Sequence, residues 1–178
     1  VNRILPVCGL LAVAAFEPIS AQSAPHLTLD FAVGVSSGGG GSYMGRDGIA
    51  GELTIAAKRH TTRLSAVSVG VRASLAGDKC VPAPGIGSRC LETYPTIAHV
   101  GVLGGAEQSV GISTLRVLVG PAIYGGSGPS GIGGQCQVDV AFGVSHVALA
   151  LGAQGDVVAR FGGQTLYLGS MRLGMRLR

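Results

Sequence analysis

The chain has 178 residues, enough for one domain with a real core and no surplus for a second. Charged residues make up only 12%, about half the share in an average soluble protein, against 47% hydrophobic and a mean hydropathy of +0.47. The net charge of +4 comes from lysines and arginines scattered singly, with no aromatic-rich basic segment on which bases could stack, which excludes nucleic acid as an expected partner.

Residues 1–21 read as a secretory signal peptide: Arg3 in a short leading region, an apolar run from Ile4 to Phe16, then small residues that allow cleavage after Ala21 or, alternatively, after Ala24. A membrane-anchoring helix would need roughly 20 apolar residues, more than this run supplies. The expected mature domain therefore spans residues 25–178.

From Leu27, "LTLDFAVGV" sets Leu27, Leu29, Phe31, Val33 and Val35 against Thr28, Asp30, Ala32 and Gly34, the period-two mark of a strand with two unlike faces. Residues 48–58 repeat it, with Ile49, Leu53 and Ile55 opposed to Glu52, Thr54 and Lys58, and residues 65–74 set Val67, Val69 and Val71 against Ser68, Gly70 and Arg72. Next comes "KCVPAPGIGSRC", in which Cys80 and Cys90 bracket a segment rich in proline and glycine. Their spacing is unlike C-x-x-C, no histidine lies near enough in sequence to complete a local zinc site, and an exported chain meets an oxidising compartment. A Cys80–Cys90 disulfide is expected, contributing roughly 2–3 kcal/mol through loop closure.

Residues 94–104 are a weaker strand. Residues 114–124 oppose Leu115, Val117 and Val119 to Thr114, Arg116 and Gly120. Residues 135–144 oppose Cys136, Val138, Val140, Phe142 and Val144 to Gln135, Gln137, Asp139, Ala141 and Gly143, and Cys136 reads as a small apolar residue on a strand face. Segments 147–154 and 164–178 complete eight strands, the last with an expected register break near Gly169–Ser170. No amphipathic helix is expected.

Connection lengths alternate. The expected loops at 36–47, 76–93, 125–134 and 155–163 are long, while the turns at 59–61, 104–109 and around Ser145–His146 are short. An all-β, up-and-down antiparallel barrel with an even strand number puts every long loop at one end and both termini at the other.

In this layout the chain resembles the small eight-stranded outer-membrane β-barrels of diderm bacteria, on a signal peptide, strands of about ten residues with dyad alternation, short turns and longer loops. The resemblance implies an eight-stranded antiparallel transmembrane barrel in the bacterial outer membrane, in contact with lipid and without a cofactor, as a monomer. It implies a structural or surface-interaction role through the outer loops. Aromatic residues at 4%, with no tryptophan, imply thin interfacial girdles.

The composition of the two faces suits lipid. The branched aliphatic face would point outward, and the narrow interior would take Gly, Ala, Ser and Thr with sparse charges. Buried charges must pair, so Asp30, Glu52 and Asp139 are expected to meet Arg72, Arg116 and Arg172 in an interior network that plugs the lumen; the alternative places several of them at solvated rims. Two other readings compete: a soluble, exported lipocalin-like barrel with its aliphatic face turned inward around an apolar ligand, and a narrow diffusion channel. A nucleophile, base and orienting group are not assembled by any motif in the sequence: Ser145–His146 is the only adjacent pair, and neighbouring strand residues point to opposite faces. The expectation is therefore a non-enzyme with no catalytic residue and no metal site.

Overall fold

The computed structural model describes residues 26–40, 43–58, 62–74, 96–126, 130–143, 146–161 and 163–178. They form eight strands, β1 (His26–Gly40), β2 (Tyr43–Lys58), β3 (Arg63–Ser74), β4 (Ile97–Val110), β5 (Ser113–Gly126), β6 (Gly131–Phe142), β7 (Val147–Phe161) and β8 (Gln164–Leu177). Each pairs antiparallel with the next, and β8 returns to β1 to close a barrel. Closure leaves no unpaired sheet edge, the condition under which strands can face a medium without hydrogen-bonding partners. There is no helix among the described residues.

The glycine-rich segments expected as loops are largely strand. Ser36, Ser37 and Gly38 pair with Gly48, Asp47 and Arg46 on one side and with Ser170, Gly169 and Leu168 on the other, and β1 and β2 stay paired as far as Gly40 and Tyr43. Residues 104–109 lie inside β4, 155–161 inside β7, and 125–126 and 131–134 inside β5 and β6. Glycine and serine signal turns through conformational freedom, but a two-sided ladder satisfies the same backbone groups, and small residues suit the interior of a narrow barrel. The 75–96 connection is the one that stays long. Its residues 75–95, with Cys80 and Cys90, lie outside the described residues, as do His60 and Ser145.

The start of β1, the end of β8 and the connections at 59–62, 111–112 and 143–146 share one end of the barrel, the turn end; those at 41–42, 75–96, 127–130 and 162–163 share the other, the loop end. At the turn end, β4 passes to β5 through Gly111 and Ile112, with Gly111 at φ 60°, a tight hairpin whose twist matches the strands it joins. The β4–β5 ladder skips the pairing of Val102 and Leu103 with Gly120 and Pro121, where proline has no N–H to donate.

No register break occurs at Gly169–Ser170. Gly169 pairs with Ser37 and Gly155, Ser170 with Ser36 and Gln154, and the register shifts lie instead between Gly38 and Gly40 and between Val158 and Phe161. The sequence suggested a break because inward residues of β8 change character, from Leu166 and Leu168 near the loop end to Ser170, Arg172 and Arg176 below. Leu166 and Leu168 belong to an apolar layer with Ile97, Ala122, Tyr124 and Val158. A second apolar patch, Ala56, Leu64, Ala66, Leu103 and Leu118, lines the wall of β2 to β5 toward the turn end.

The aliphatic face points out. Val33 is 68% exposed and Met171 71%, with Leu27, Val35, Ile55, Val102, Leu151 and Leu173 similarly placed. A lipocalin-like barrel requires the opposite orientation, and the structure overturns that expectation. In the observed orientation the small and charged residues fill the narrow interior, where the charges pair with one another.

Candidate functional site

The lumen is filled by ionisable and amide side chains in two tiers. The inner tier, nearer the turn end, is built on Arg116 of β5 and Arg176 of β8, both 0% exposed. Arg116 donates through Nε and Nη2 to Glu107 Oε2 at 3.0 and 2.8 Å and through Nη2 to Thr28 at 3.0 Å, while Nη1 pairs with Asp30. Arg176 reaches Asp30 Oδ1 through Nε at 2.8 Å, Glu107 and Thr114 through Nη1 at 3.4 and 3.1 Å, and Asp139 through Nη2. Lys58 meets the other oxygen of Glu107 at 3.3 Å. The two planar guanidinium forks serve three carboxylates from three strands at once, which an ammonium cannot do.

The outer tier centres on Glu52 of β2. Its carboxylate accepts from Ser68 Oγ at 2.6 Å, from Gln135 Nε2 at 3.3 Å and from Gln137 Nε2, and pairs with Arg172 Nη1 at 3.0 Å. Arg172 also donates to Gln154 Oε1 at 3.0 Å; Gln154 donates to Asp156 Oδ1 at 3.2 Å, and Asp156 pairs with Arg72 and accepts from the Tyr124 hydroxyl at 2.9 Å. Across both tiers, Asp30, Glu52, Glu107, Asp139 and Asp156 face Lys58, Arg72, Arg116, Arg172 and Arg176, so among the described residues the ion-paired carboxylates and cations of the two tiers match in number. Between the tiers lies a cavity of about 20 Å³, lined among others by Asp30, Glu52, Gln137, Asp139, Arg172 and Arg176.

Asp30, Glu52, Arg72, Arg116, Asp139 and Arg172 thus all lie in the lumen, each in an ion pair, but not in one cluster: Asp30, Arg116 and Asp139 sit in the inner tier and Glu52, Arg72 and Arg172 in the outer. Reasoning from sequence missed Glu107, Asp156 and Arg176, the first two within segments read as connections. Cys136, expected to act only as a small apolar residue, is disulfide-bonded, to a partner outside the described residues.

His99, Ser68 and Glu52 bring an imidazole, a hydroxyl and a carboxylate together, but not as a catalytic triad. Ser68 Oγ and Glu52 Oε2 both lie on the Nε2 side of His99, at 3.4 and 3.9 Å, and Ser68 donates to Glu52. A relay needs the carboxylate on the nitrogen opposite the nucleophile, and Nδ1 has no protein partner. The nearby cavity is also far too small for a substrate. His26 and His146 are exposed at the turn end. Among the described residues, no group of three His, Cys, Asp or Glu side chains is placed to hold a metal ion.

No protein-family model matches the sequence, and no curated protein sequence matches it. Solved structures do. Neisserial surface protein A superposes with a TM-score of 0.70 at 10% identity, over 87% of this chain and 99% of that one. Ail, the attachment invasion locus protein of Yersinia pestis, gives 0.50 at 10% identity over 85% and 97%. Its complex with the heparin analogue sucrose octasulfate gives 0.50 at 9% identity over 87% and 100%. At such identities the likeness is one of fold, and it is to small eight-stranded antiparallel barrels over nearly their whole length.

Proposed function

We propose that this chain is a non-enzymatic barrel of the bacterial outer membrane, closed to solutes by its ion-paired lumen, with a structural role or a surface-contact role exercised at its loop end. The observation that carries the reading is the inversion of the two faces: aliphatic side chains stand outward around the barrel while the charges are paired within it. Water rewards the reverse arrangement; lipid rewards this one. The proposal includes removal of residues 1–21, or 1–24, as a signal peptide, and a 75–96 loop toward the outside medium that is stiffened by Pro82 and Pro84. The likeness to a neisserial surface protein and to an attachment invasion locus protein supports a surface role.

Fractionation of expressing cells, followed by electrophoresis of the membrane fraction with and without boiling, tests the reading. The expected result is an outer-membrane band whose mobility shifts on heating, as a closed detergent-resistant barrel unfolds. A soluble band that does not shift would sink it. Planar-bilayer recording separates the plugged barrel from a narrow channel: the plug carries no steady current, and a steady current from the wild-type chain would establish the channel instead.

A further inference from the structure

The two tiers differ in how completely their polar atoms are served. In the inner tier, every carboxylate and guanidinium is met by protein, and no orphaned buried atom belongs to Asp30, Glu107, Arg116, Asp139 or Arg176. In the outer tier, Arg72 Nη1, Arg172 Nε, Ser170 Oγ, His99 Nδ1 and Gln135 Oε1 are buried and form no hydrogen bond to protein. They are not dispersed. Arg172 donates to Gln154, whose backbone pairs with Ser170; Arg72 and Gln154 share Asp156, whose backbone pairs with Gln135; and Gln135 Nε2 lies 3.3 Å from His99 Nε2.

The orphaned atoms have a definite chemistry. Gln135 Nε2 has Glu52, Ser68 and His99 Nε2 within reach and can only donate. Arg72 Nη1 and Arg172 Nε are donors, and the Ser170 hydroxyl and His99 Nδ1 are donors or acceptors, against the single obligate acceptor Gln135 Oε1. What satisfies such a set is a small molecule that accepts and donates within a tight space, without adding charge to the matched ion pairs. That describes water. The cavity of about 20 Å³ lies between the tiers, bordered by Glu52, Gln137 and Arg172 on one side and by the already paired Asp30, Asp139 and Arg176 on the other, and exceeds the roughly 10–15 Å³ that one water needs.

We propose that the outer tier is a buried hydration site, with waters held by Arg72, Arg172, Ser170, His99 and Gln135, and that the inner tier is the dry seal of the lumen. This rests on the reading of the lumen as a plug and adds where the plug is tight. The apolar layer of Ile97, Tyr124, Val158, Leu166 and Leu168 stands on the loop side of these waters, which are therefore enclosed.

The test uses the whole refolded barrel, labelled with ¹⁵N, in lipid nanodiscs. Water-to-protein cross-relaxation is expected at the side-chain N–H groups of Arg72 and Arg172 and at the His99 ring, and not at Arg116, which does not border the cavity. Absence of water contacts in the outer tier, or equal contacts at Arg116, overturns the proposal. Bilayer recording of the same preparation keeps the two readings apart: a steady current defeats the plug, whereas a silent barrel with a dry outer tier defeats only the hydration site.

Discussion

Asp30 of β1 and Arg176 of β8 stand directly opposite each other across the seam that closes the barrel, and Arg176 Nε donates to Asp30 Oδ1 at 2.8 Å. The first and last strands are thus tied by a buried ion pair as well as by their backbone ladder. Removing one partner of a buried pair leaves the other charge uncompensated, at a cost of about 3–5 kcal/mol. Arg176→Met strands Asp139 and leaves Asp30 with Arg116 alone, and it is expected to lower the urea midpoint of the folded barrel in vesicles by a corresponding amount. An unchanged midpoint would show that the seam does not depend on the pair.

Arg72 and Asp156 offer the complementary experiment, because their pair borders the apolar layer formed by Ile97, Tyr124, Val158, Leu166 and Leu168. Arg72→Met alone is expected to destabilise the barrel. Combined with Asp156→Leu it should recover part of the loss, since apolar side chains can replace a buried pair. Recovery stays incomplete because Tyr124 and Gln154 lose their acceptor, about 1–3 kcal/mol for each buried group left unsatisfied. A double variant no better than Arg72→Met would mean that the site cannot pack without charge.

Glycine marks the places where backbones approach most closely. A Cβ on Gly105 would stand 1.9 Å from the Val117 carbonyl oxygen, whereas one on outward-facing Gly51 would meet nothing within 4 Å. Gly105→Val is therefore expected to prevent or severely weaken closure. Gly51→Val should be neutral or stabilising by about 0.5–1 kcal/mol, by reducing the freedom of the unfolded chain and adding apolar surface toward lipid. Heat-shift electrophoresis of the two variants side by side reads both outcomes, and equal behaviour would contradict the geometry.

Strand existence and the division into two faces were legible in the sequence because alternation survives wherever one face is aliphatic: Val67, Val69 and Val71 against Ser68, Gly70 and Arg72 is enough, while which face turns outward had to be read from the scarcity of charge. Strand ends were not. Glu107 lies in "GGAEQS" and Asp156 in "GDVVARFGG", segments whose glycines signal a turn until a neighbouring ladder is known. Arg176 was obscured differently, by an apparent change of face in β8 that is really a change in what fills the lumen at that depth. Pairing partners such as Asp30 and Arg176, 146 residues apart, follow from closure and register, which no local pattern carries.

Ser68 tests the absence of catalysis. Its hydroxyl is committed to Glu52 and buried, and the imidazole beside it is not oriented by a carboxylate on its far nitrogen. A fluorophosphonate probe is expected to leave the folded barrel unlabelled. Labelling at Ser68, lost in Ser68→Ala, would restore the enzyme reading.

Leu151, near the middle of β7, separates a barrel in lipid from one in water. It points outward, and its cross-strand neighbours Val140 and Leu173 face the same way, so the position lies within a continuous aliphatic band. An arginine on the lipid face near the bilayer midplane costs about 2–4 kcal/mol, whereas on a solvated surface the same change falls within about 0.5 kcal/mol. Leu151→Arg is accordingly expected to destabilise the barrel folded in vesicles by the larger amount. Since Leu151 makes no ion pair and its side chain stands half-exposed on the outer face, this loss reads the medium outside. A near-zero effect would place water, not lipid, against β7, and the inverted faces of the barrel would then need another cause.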